Sequence, residues 1–172
     1  MDIKSLIRVI EDYPEKGISF KDITTLLKNK DGFRETIDLL EQKLQGYDFD
    51  YIAGVESRGL IFGAPLADRL NKGFIPIRKP GKLPGEIEKV SYDLEYGTNE
   101  LEIHRDALNK GDKVVIIDDL IATGGSAKAA AKLVESIGGD VVCFEFLIEL
   151  TSLKGREVLK DYDVISIVEY DH

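Results

Sequence analysis

The alternation of apolar and polar positions predicts helices and strands that follow one another along the chain. Two stretches near the start have helical spacing: residues 3–10, which Pro14 and Gly17 would end, and residues 33–44, which Gly46 would end. The pattern then predicts, in order, a strand at 51–55, a helix at 59–70, a strand at 73–78, two short strands at 90–94 and 100–104 around a turn at 95–99, a strand at 113–118, a helix at 126–137, a strand at 140–150, a short helix at 153–160 and a strand at 163–170.

This order of elements indicates an α/β fold with a central, mainly parallel sheet flanked by helices, because strands that alternate with helices form right-handed βαβ units. With 172 residues and 43% hydrophobic content, the chain predicts one domain, residues 1–172. We find no repeat, linker or low-complexity segment. The first 30 residues lack the apolar run of a signal peptide, and no stretch is long enough for a membrane span. We therefore expect a soluble, cytoplasmic protein with no membrane contact.

The net charge of −9 argues against a nucleic-acid partner, since phosphate would be repelled by the mean field of the protein. Cys143 lies in an apolar run and is predicted to be a buried, inert thiol. A cluster of cations nevertheless occurs in "IRKPGKLPGE", which contains Arg78, Lys79 and Lys82. We call residues 78–86 the basic loop. It is either an ordinary solvated loop or a mobile clamp for an anion.

The stretch "VVIIDDLIATGGSA", residues 114–127, is the strongest candidate for a binding site. A strand covered on both faces is predicted to end in a loop of small residues that leads into a helix. Ligands of parallel sheets bind beyond the carboxyl ends of strands, and glycine backbone N–H groups at a helix N-terminus favour phosphate. The alternative is a plain helix cap after a strand, with Asp118 and Asp119 as solvated carboxylates. The loop matches neither the Walker nor the dinucleotide-binding fingerprint.

The two acids in this stretch, Asp118 and Asp119, would repel a phosphate but accept hydrogen bonds from sugar hydroxyls. A ribose 5-phosphate would therefore suit the site, and magnesium binding is the alternative role for the acids. Adjacent strand residues point to opposite faces, so both carboxylates reach one sugar only if the chain already turns at Asp119.

Several motifs resemble those of the adenine phosphoribosyltransferases, a group of purine salvage enzymes in the type I phosphoribosyltransferase family. They are "GISFKDIT", "GVESRGLIFG", "IRKPGKLPG", "SYDLEYG", "DDLIATGGSA" and "IELTSLKGRE", which are spread over most of the chain. The resemblance implies a type I phosphoribosyltransferase fold with an N-terminal base-binding hood (residues 1–30) and a flexible catalytic loop (residues 79–100). It implies transfer of phosphoribosyl from phosphoribosyl pyrophosphate (PRPP) to adenine N9, giving AMP and pyrophosphate. The alternatives are transfer to another purine and a non-catalytic PRPP-sensing regulator.

The resemblance also implies a role for individual residues. The 5-phosphate and ribose would be bound by Asp118, Asp119, Ala122, Thr123, Gly124, Gly125 and Ser126. Pyrophosphate would be bound by Glu56, Ser57, Arg58, Arg78, Lys79 and Lys82, with a cis peptide between Glu56 and Ser57. Adenine would be bound by Ser19, Phe20, Lys21 and Leu120, with Phe20 stacking on the ring. Glu95 and Tyr96 match the acid/base carboxylate and its neighbouring tyrosine.

Mg²⁺ is the cofactor that the resemblance implies. It would be held mainly by substrate and water, with no dedicated protein ligands. The partners implied are the small molecules PRPP and adenine, together with a second copy of the chain in a homodimer.

Overall fold

The computed structural model describes residues 1–94 and 97–172, excluding the side chain of Leu94. The strands are β1 Arg8–Glu11, β2 Ser19–Asp22, β3 Tyr51–Val55, β4 Gly73–Ile77, β5 Ile87–Leu94, β6 Gly97–His104, β7 Lys113–Ile121, β8 Asp140–Leu150 and β9 Val164–Tyr170. The α-helices are α1 Thr24–Lys28, α2 Lys30–Lys43, α3 Arg58–Arg69, α4 Gly125–Ser136 and α5 Gly155–Val158, and 3₁₀ turns cover Ile3–Leu6 and Thr151–Leu153.

The central sheet has five parallel strands in the order β4-β3-β7-β8-β9. The predicted α/β fold is therefore confirmed. Apolar residues of β7 alternate between the two sides of the sheet: Val114 and Ile116 pack with α4, while Val115 and Ile117 pack with α2 and α3. All four are buried, which explains why this strand reads as a continuous apolar run.

The prediction of a first helix over residues 3–10 is wrong. Only the Ile3–Leu6 turn is helical, and β1 pairs with β2 in an antiparallel ladder that places Val9 opposite Lys21 and Ile10 opposite Phe20. Ile3 and Ile7 are buried, but one 3₁₀ turn is enough to direct both of them into the core. Backbone pairing with β2 therefore overrides the apolar spacing. The sequence analysis also missed β2 and α1.

The predicted helices and strands from α2 onward occur with small shifts of their ends, except around the β5-β6 hairpin. Its strands are longer than predicted, because Gly97, Thr98 and Asn99, expected in a turn, belong to β6 and pair with β5. The hairpin packs against α4, and its strand β6 also pairs with Arg78 at the end of β4. The residues that follow β4 and β7 are thereby brought to one side of the sheet.

Cys143 is buried, as predicted, and burial raises the pKa of its thiol to about 12. An inert thiol follows from this shift, because the reactive form is the thiolate. Within the described part of the chain, no helix is long and apolar enough to cross a membrane.

Candidate active site

The candidate site lies where β3, β4 and β7 end. These three strands are neighbours in the sheet and run parallel, so the segments that follow them meet at one edge. The chain reaches β3 first and then adds strands on its two sides, which makes this edge the point where strand order reverses. Open α/β sheets bind their ligands at such a point.

The glycine-rich loop between β7 and α4 forms the best-defined part of the site. Gly124 has a left-handed backbone (φ 89°), and a Cβ built there would lie 2.9 Å from the carbonyl oxygen of Gly155. Gly124 therefore has both a conformational and a steric reason to be glycine. The first N–H groups of α4 have no acceptor within the helix and carry its positive dipole end, an arrangement that favours an anion.

The segment around α5 supports this loop from behind. A Cβ built on Gly155 would lie 2.6 Å from the carbonyl oxygen of Ala122, which shows how closely the two backbones approach. Arg156, the next residue, forms an ion pair with Glu149 at the end of β8 (Nε to Oε2, 2.9 Å). These contacts place residues of the "IELTSLKGRE" motif, which is distant in sequence, directly against the glycine-rich loop.

A cavity of 200 Å³ opens over the loop and is lined by Tyr92, Asp93, Leu120, Ile121, Ala122, Thr123, Gly124, Gly125, Ser126 and Ala127. It therefore brings together the five predicted phosphate residues and Leu120. The sequence analysis missed Tyr92 and Asp93, which reach the cavity from β5. The alternation of side chains along β5 could have identified Tyr92, because Val90 and Tyr92 share one face of the strand and are both half-buried against the core.

Asp118 and Asp119 both lie beside the first turn of α3, but the chain does not turn at Asp119. The sequence analysis required such a turn, whereas β7 continues to Ile121. Asp119 is 7% exposed, and its Oδ2 accepts a hydrogen bond from Nε of Arg58 at 2.6 Å. Asp118 Oδ1 accepts from the backbone N–H of Asp119 at 2.7 Å and would lie 3.1 Å from a Cβ built on Gly59. The first turn of α3 therefore lies against both acids.

Asp118, Asp119 and Arg58 influence one another's ionisation and do not behave as separate surface charges. Burial, and then the charge of Asp119, raise the pKa of Asp118 well above its usual value. The attraction of Asp119 raises the pKa of Arg58, whose side chain is 50% exposed. The site thus contains an ion pair next to a carboxyl group that resists ionisation, so its local charge is less negative than two free aspartates imply.

A second ion pair joins the ends of β3 and β4. Arg78 Nε donates to Glu56 Oε1 at 2.8 Å, and the backbone N–H of Lys79 donates to the same oxygen at 3.2 Å. Burial opposes ionisation of Glu56, but these hydrogen bonds outweigh it and lower its pKa. The peptide between Glu56 and Ser57 is cis, as the resemblance implies. Lys79 and Lys82 are exposed on the basic loop.

The β1-β2 hairpin presents the predicted base-binding residues on two different faces. The half-buried ring of Phe20 contacts Tyr13 edge to face, with ring centroids 5.2 Å apart. Lys21 Nζ donates to Ser19 Oγ at 2.6 Å and lies 4.8 Å from the ring centroid of Tyr170. Because side chains alternate along a strand, those of Ser19 and Lys21 point to the face opposite Phe20. Only the backbone groups of these two residues lie near the Phe20 side chain.

Glu95 and Tyr96, the predicted catalytic residues, lie outside the described residues. Among residues 1–94 and 97–172, no group of three or more His, Cys, Asp or Glu side chains is placed to hold a metal ion. Asp118 and Asp119 lie on the strand that leads into the glycine-rich loop. Their oxygens are ligands of the kind that Mg²⁺ accepts, but a pair of acids leaves most of an octahedral shell to other ligands.

Comparisons with known proteins agree on one family. The family model of the phosphoribosyl transferase domain matches residues 22–172. The adenine phosphoribosyltransferase of Halothermothrix orenii is 56% identical over 169 residues, which are 98% of this chain and 99% of that protein. The crystal structure of adenine phosphoribosyltransferase from Thermoanaerobacter pseudethanolicus has a TM-score of 0.96 and 56% identity, covering 98% of each chain. The Saccharomyces cerevisiae enzyme, solved with adenine and an imino-altritol bisphosphate, has a TM-score of 0.91 and 41% identity, covering 96% of each chain.

Proposed function

We propose roles for the site residues from the premise that this chain belongs to the phosphoribosyltransferase family and, within it, to the adenine phosphoribosyltransferases. The chain is a purine salvage enzyme that transfers the 5-phosphoribosyl group of PRPP to adenine, giving AMP and pyrophosphate. The observation that carries the assignment of the site is the glycine-rich loop at the end of β7, which lies next to paired acids and a paired arginine.

The 5-phosphate of PRPP binds the loop of Ala122, Thr123, Gly124, Gly125 and Ser126. Its support comes from backbone N–H groups and the dipole of α4 rather than from basic side chains, which suits an acidic chain. The hydroxyls of Thr123 and Ser126 are further donors to the phosphate oxygens.

The ribose hydroxyls donate to Asp118 and Asp119. In the reaction, adenine N9 forms a bond to the anomeric carbon as its bond to pyrophosphate breaks, and positive charge develops on the sugar. A carboxylate beside the ring stabilises that charge in the transition state more than in the ground state.

Pyrophosphate departs toward the ends of β3 and β4, where Arg58, Arg78, Lys79 and Lys82 provide positive charge and the Glu56–Ser57 peptide shapes the backbone. Arg58 is paired with Asp119 before substrate binds. PRPP would therefore compete with Asp119 for the guanidinium, which couples ribose binding to pyrophosphate binding. Mg²⁺, bound mainly through PRPP and water, supplies further positive charge to the leaving group.

Adenine stacks on the ring of Phe20, with Leu120 on its opposite face, and the backbone at Ser19 and Lys21 reads its edge. The ring of Phe20 is half-buried and held by Tyr13, so it is oriented before the base binds. Lys21 contributes through its backbone, since its ammonium group is bound to Ser19 and burial lowers its pKa.

Glu95 acts as the proton-transfer group: its carboxylate accepts the proton that adenine N9 loses as the bond to ribose forms. Tyr96 is the next residue in the sequence. We expect Glu95→Gln to lower kcat by at least about 100-fold, the usual size of a general acid/base contribution, while the KM for PRPP changes little. Steady-state kinetics with both substrates measure this, and near-normal turnover would remove Glu95 from proton transfer.

The activity itself is tested with purified protein, Mg²⁺, PRPP and a panel of purine bases. We expect adenine to give AMP and pyrophosphate with a kcat/KM at least about 100-fold above that for hypoxanthine or guanine, because unpaired polar groups on the wrong base are costly. Equal use of another purine would contradict adenine specificity. Binding of PRPP without turnover of any base would indicate a regulator instead.

We further propose a cytoplasmic homodimer in which each chain is a single domain, with a hood at residues 1–30 and a catalytic loop at residues 79–100. The support for the dimer and the loop is the family resemblance. Light scattering of the purified protein should give about twice the 19.2 kDa of one chain.

A further inference from the structure

The basic loop is bound along its length to β6 and does not extend freely into solvent. His104 Nε2 contacts the carbonyl oxygen of Pro84 at 2.9 Å, and the backbone N–H of Arg105 donates to the carbonyl oxygen of Glu86 at 3.1 Å. These contacts hold the second half of the loop. The first half, which contains the cations, is held by Glu102 on β6 and by Glu56 at the end of β3.

Glu102 makes three hydrogen bonds to the first half of the loop. Its backbone N–H donates to the carbonyl oxygen of Arg78 (2.7 Å), and its carbonyl oxygen accepts from the N–H of Arg78 (2.9 Å). Its side-chain Oε1 accepts from the backbone N–H of Gly81 at 3.2 Å. The two backbone bonds are independent of the side chain, so the carboxylate alone determines whether Gly81 is held.

The position of this carboxylate is chemically unusual. Glu102 is 8% exposed, although acids are rarely buried without a partner, and it lies beside a loop whose charge is positive. No basic side chain pairs with it among residues 1–94 and 97–172, and its carboxylate accepts a hydrogen bond from a backbone N–H instead. A negative charge at this position would weaken the binding of an anion by repulsion. Its presence is favourable only if the loop geometry that the carboxylate maintains strengthens anion binding by more than the repulsion weakens it.

The geometry that it maintains concerns the two lysines. Gly81 lies between Lys79 and Lys82, and its left-handed backbone (φ 81°) turns the chain between them. Anchoring the N–H of Gly81 therefore sets the direction in which both lysine side chains leave the loop. Glu56 holds the N–H of Lys79 in the same way from the end of β3 (3.2 Å). Two carboxylates thus tie the backbone of the loop at alternate residues and leave its ammonium groups exposed.

We propose that Glu102 is a positioning residue for the transfer reaction: its carboxylate holds Gly81 so that Lys79 and Lys82 face the departing pyrophosphate. This inference rests on the proposed role of the basic loop. Loss of the carboxylate would let the loop sample other conformations, and the entropy of ordering it would then oppose PRPP binding. Adenine binding, which depends on the hood, would not change.

The test compares Glu102→Ala, Glu102→Gln and Glu100→Ala in steady-state kinetics. Glutamine keeps an oxygen that accepts from Gly81. Glu100→Ala removes the same charge from the same strand, where Glu100 forms an exposed pair with Lys89 at 4.0 Å. We expect Glu102→Ala to raise the KM for PRPP about ten-fold, because ten-fold corresponds to about 1.4 kcal/mol, the size of one lost hydrogen bond. The kcat and the KM for adenine of Glu102→Ala should stay within about two-fold of the original values. All three constants should do so in Glu102→Gln and in Glu100→Ala.

A merely structural role for Glu102 predicts a different outcome. Partial unfolding of Glu102→Ala would lower the apparent kcat and leave the KM for PRPP unchanged, which would overturn the inference, and a thermal melt identifies that case. A ten-fold rise in Glu102→Gln would also overturn it, because the acceptor oxygen is still present.

Lys82→Ala separates this inference from the function on which it rests. If Lys82→Ala raises the KM for PRPP and Glu102→Ala does not, the positioning inference is wrong and the role of the loop stands. An unchanged KM in Lys82→Ala overturns the role of the loop itself, and the inference with it. If Glu102 acts through the lysines, its substitution should have a smaller effect in the Lys82→Ala background, whereas fully multiplicative effects would contradict this.

Discussion

The two ends of the proposed PRPP site, the glycine-rich loop and the basic loop, are held in different ways. At the glycine-rich loop, backbone packs against backbone: Gly124 touches Gly155, and Gly155 touches Ala122, with no room for a single Cβ. At the basic loop, exposed lysines extend from a backbone that is tied by the carboxylates of Glu56 and Glu102. Close packing permits one conformation, whereas isolated hydrogen bonds at a surface permit several.

This difference corresponds to what each end must do. The 5-phosphate stays bound to the ribose before and after the reaction, so a preformed site loses no energy in rearrangement. Pyrophosphate enters as part of PRPP and leaves as a separate product, so its site has to open and close. We therefore expect substitutions at the glycine-rich loop to affect binding of every phosphoribosyl ligand. Substitutions at the basic loop should affect only ligands that carry pyrophosphate.

The largest effect is expected from Gly124→Ala, which tests the packed end. The added Cβ would lie 2.9 Å from a carbonyl oxygen in a left-handed backbone, and the strain alone costs about 1–2 kcal/mol. With the steric clash included, we expect kcat/KM for PRPP to fall at least about 100-fold. Steady-state kinetics measure the loss.

Gly138→Ala is the matched control for that substitution. Gly138 is also left-handed (φ 100°) and crowded, since a Cβ there would lie 3.0 Å from Lys110, but it follows the other end of α4. It should lower thermal stability and leave kcat/KM within about two-fold, because only stability depends on that end of the helix. Equal losses of activity in both variants would indicate that helix stability, rather than the phosphate loop, explains the effect.

The next largest effect is expected on stability and concerns Glu145 in β8. This residue places a carboxyl group inside the packed sheet that supports the glycine-rich loop. Its carboxyl is fully buried, its oxygens have no hydrogen-bond partner within the described residues, and burial raises its pKa to about 9. An acid whose folded pKa exceeds its unfolded value makes the protein less stable as pH rises between the two values. Between pH 6 and pH 8, we expect the free energy of unfolding of the original protein to fall by about 2 kcal/mol more than that of Glu145→Gln.

Urea unfolding at the two pH values measures this difference, and Glu149→Gln is the control on the same strand. Hydrogen bonds from Arg156 and Ser166 outweigh burial and lower the pKa of Glu149, so its contribution is lost only in acid. Glu149→Gln should therefore keep the slope of the original protein between pH 6 and pH 8. A Glu145→Gln slope identical to the original would show that the carboxyl is hydrated or paired.

The packed end was also the part that the sequence could predict. Strand β7, its two acids and the loop up to Ser126 are contiguous in sequence. The apolar run predicts a buried strand, and the glycines predict a tight loop after it. The first predicted helix failed because β1 is determined by its partner β2 and not by its own spacing. Tyr92 was missed because its place over Gly125 depends on packing of the hairpin against α4. Ion pairs such as Arg58 with Asp119 join residues 61 positions apart, which no local pattern encodes.

The basic loop illustrates the same limit at a single residue. Its cations were evident from "IRKPGKLPGE", but the acid that ties it was not. In the alternating run Glu100, Leu101, Glu102, Ile103, both acids fall on the face expected to be solvated, whereas pairing with Arg78 buries Glu102 and leaves Glu100 accessible. The positions of candidate site residues could therefore be predicted where a local motif carries them, and not where they depend on contacts between distant segments.

The most direct test of the division between the two ends is calorimetric binding of AMP and of PRPP with Mg²⁺ to Lys82→Ala and Gly124→Ala. AMP carries the 5-phosphate without pyrophosphate. We expect Lys82→Ala to bind AMP with unchanged Kd and PRPP about ten-fold more weakly, about 1.4 kcal/mol for one ion pair, while Gly124→Ala weakens both ligands. Equal weakening of AMP and PRPP by Lys82→Ala, or intact AMP binding by Gly124→Ala, would contradict the account.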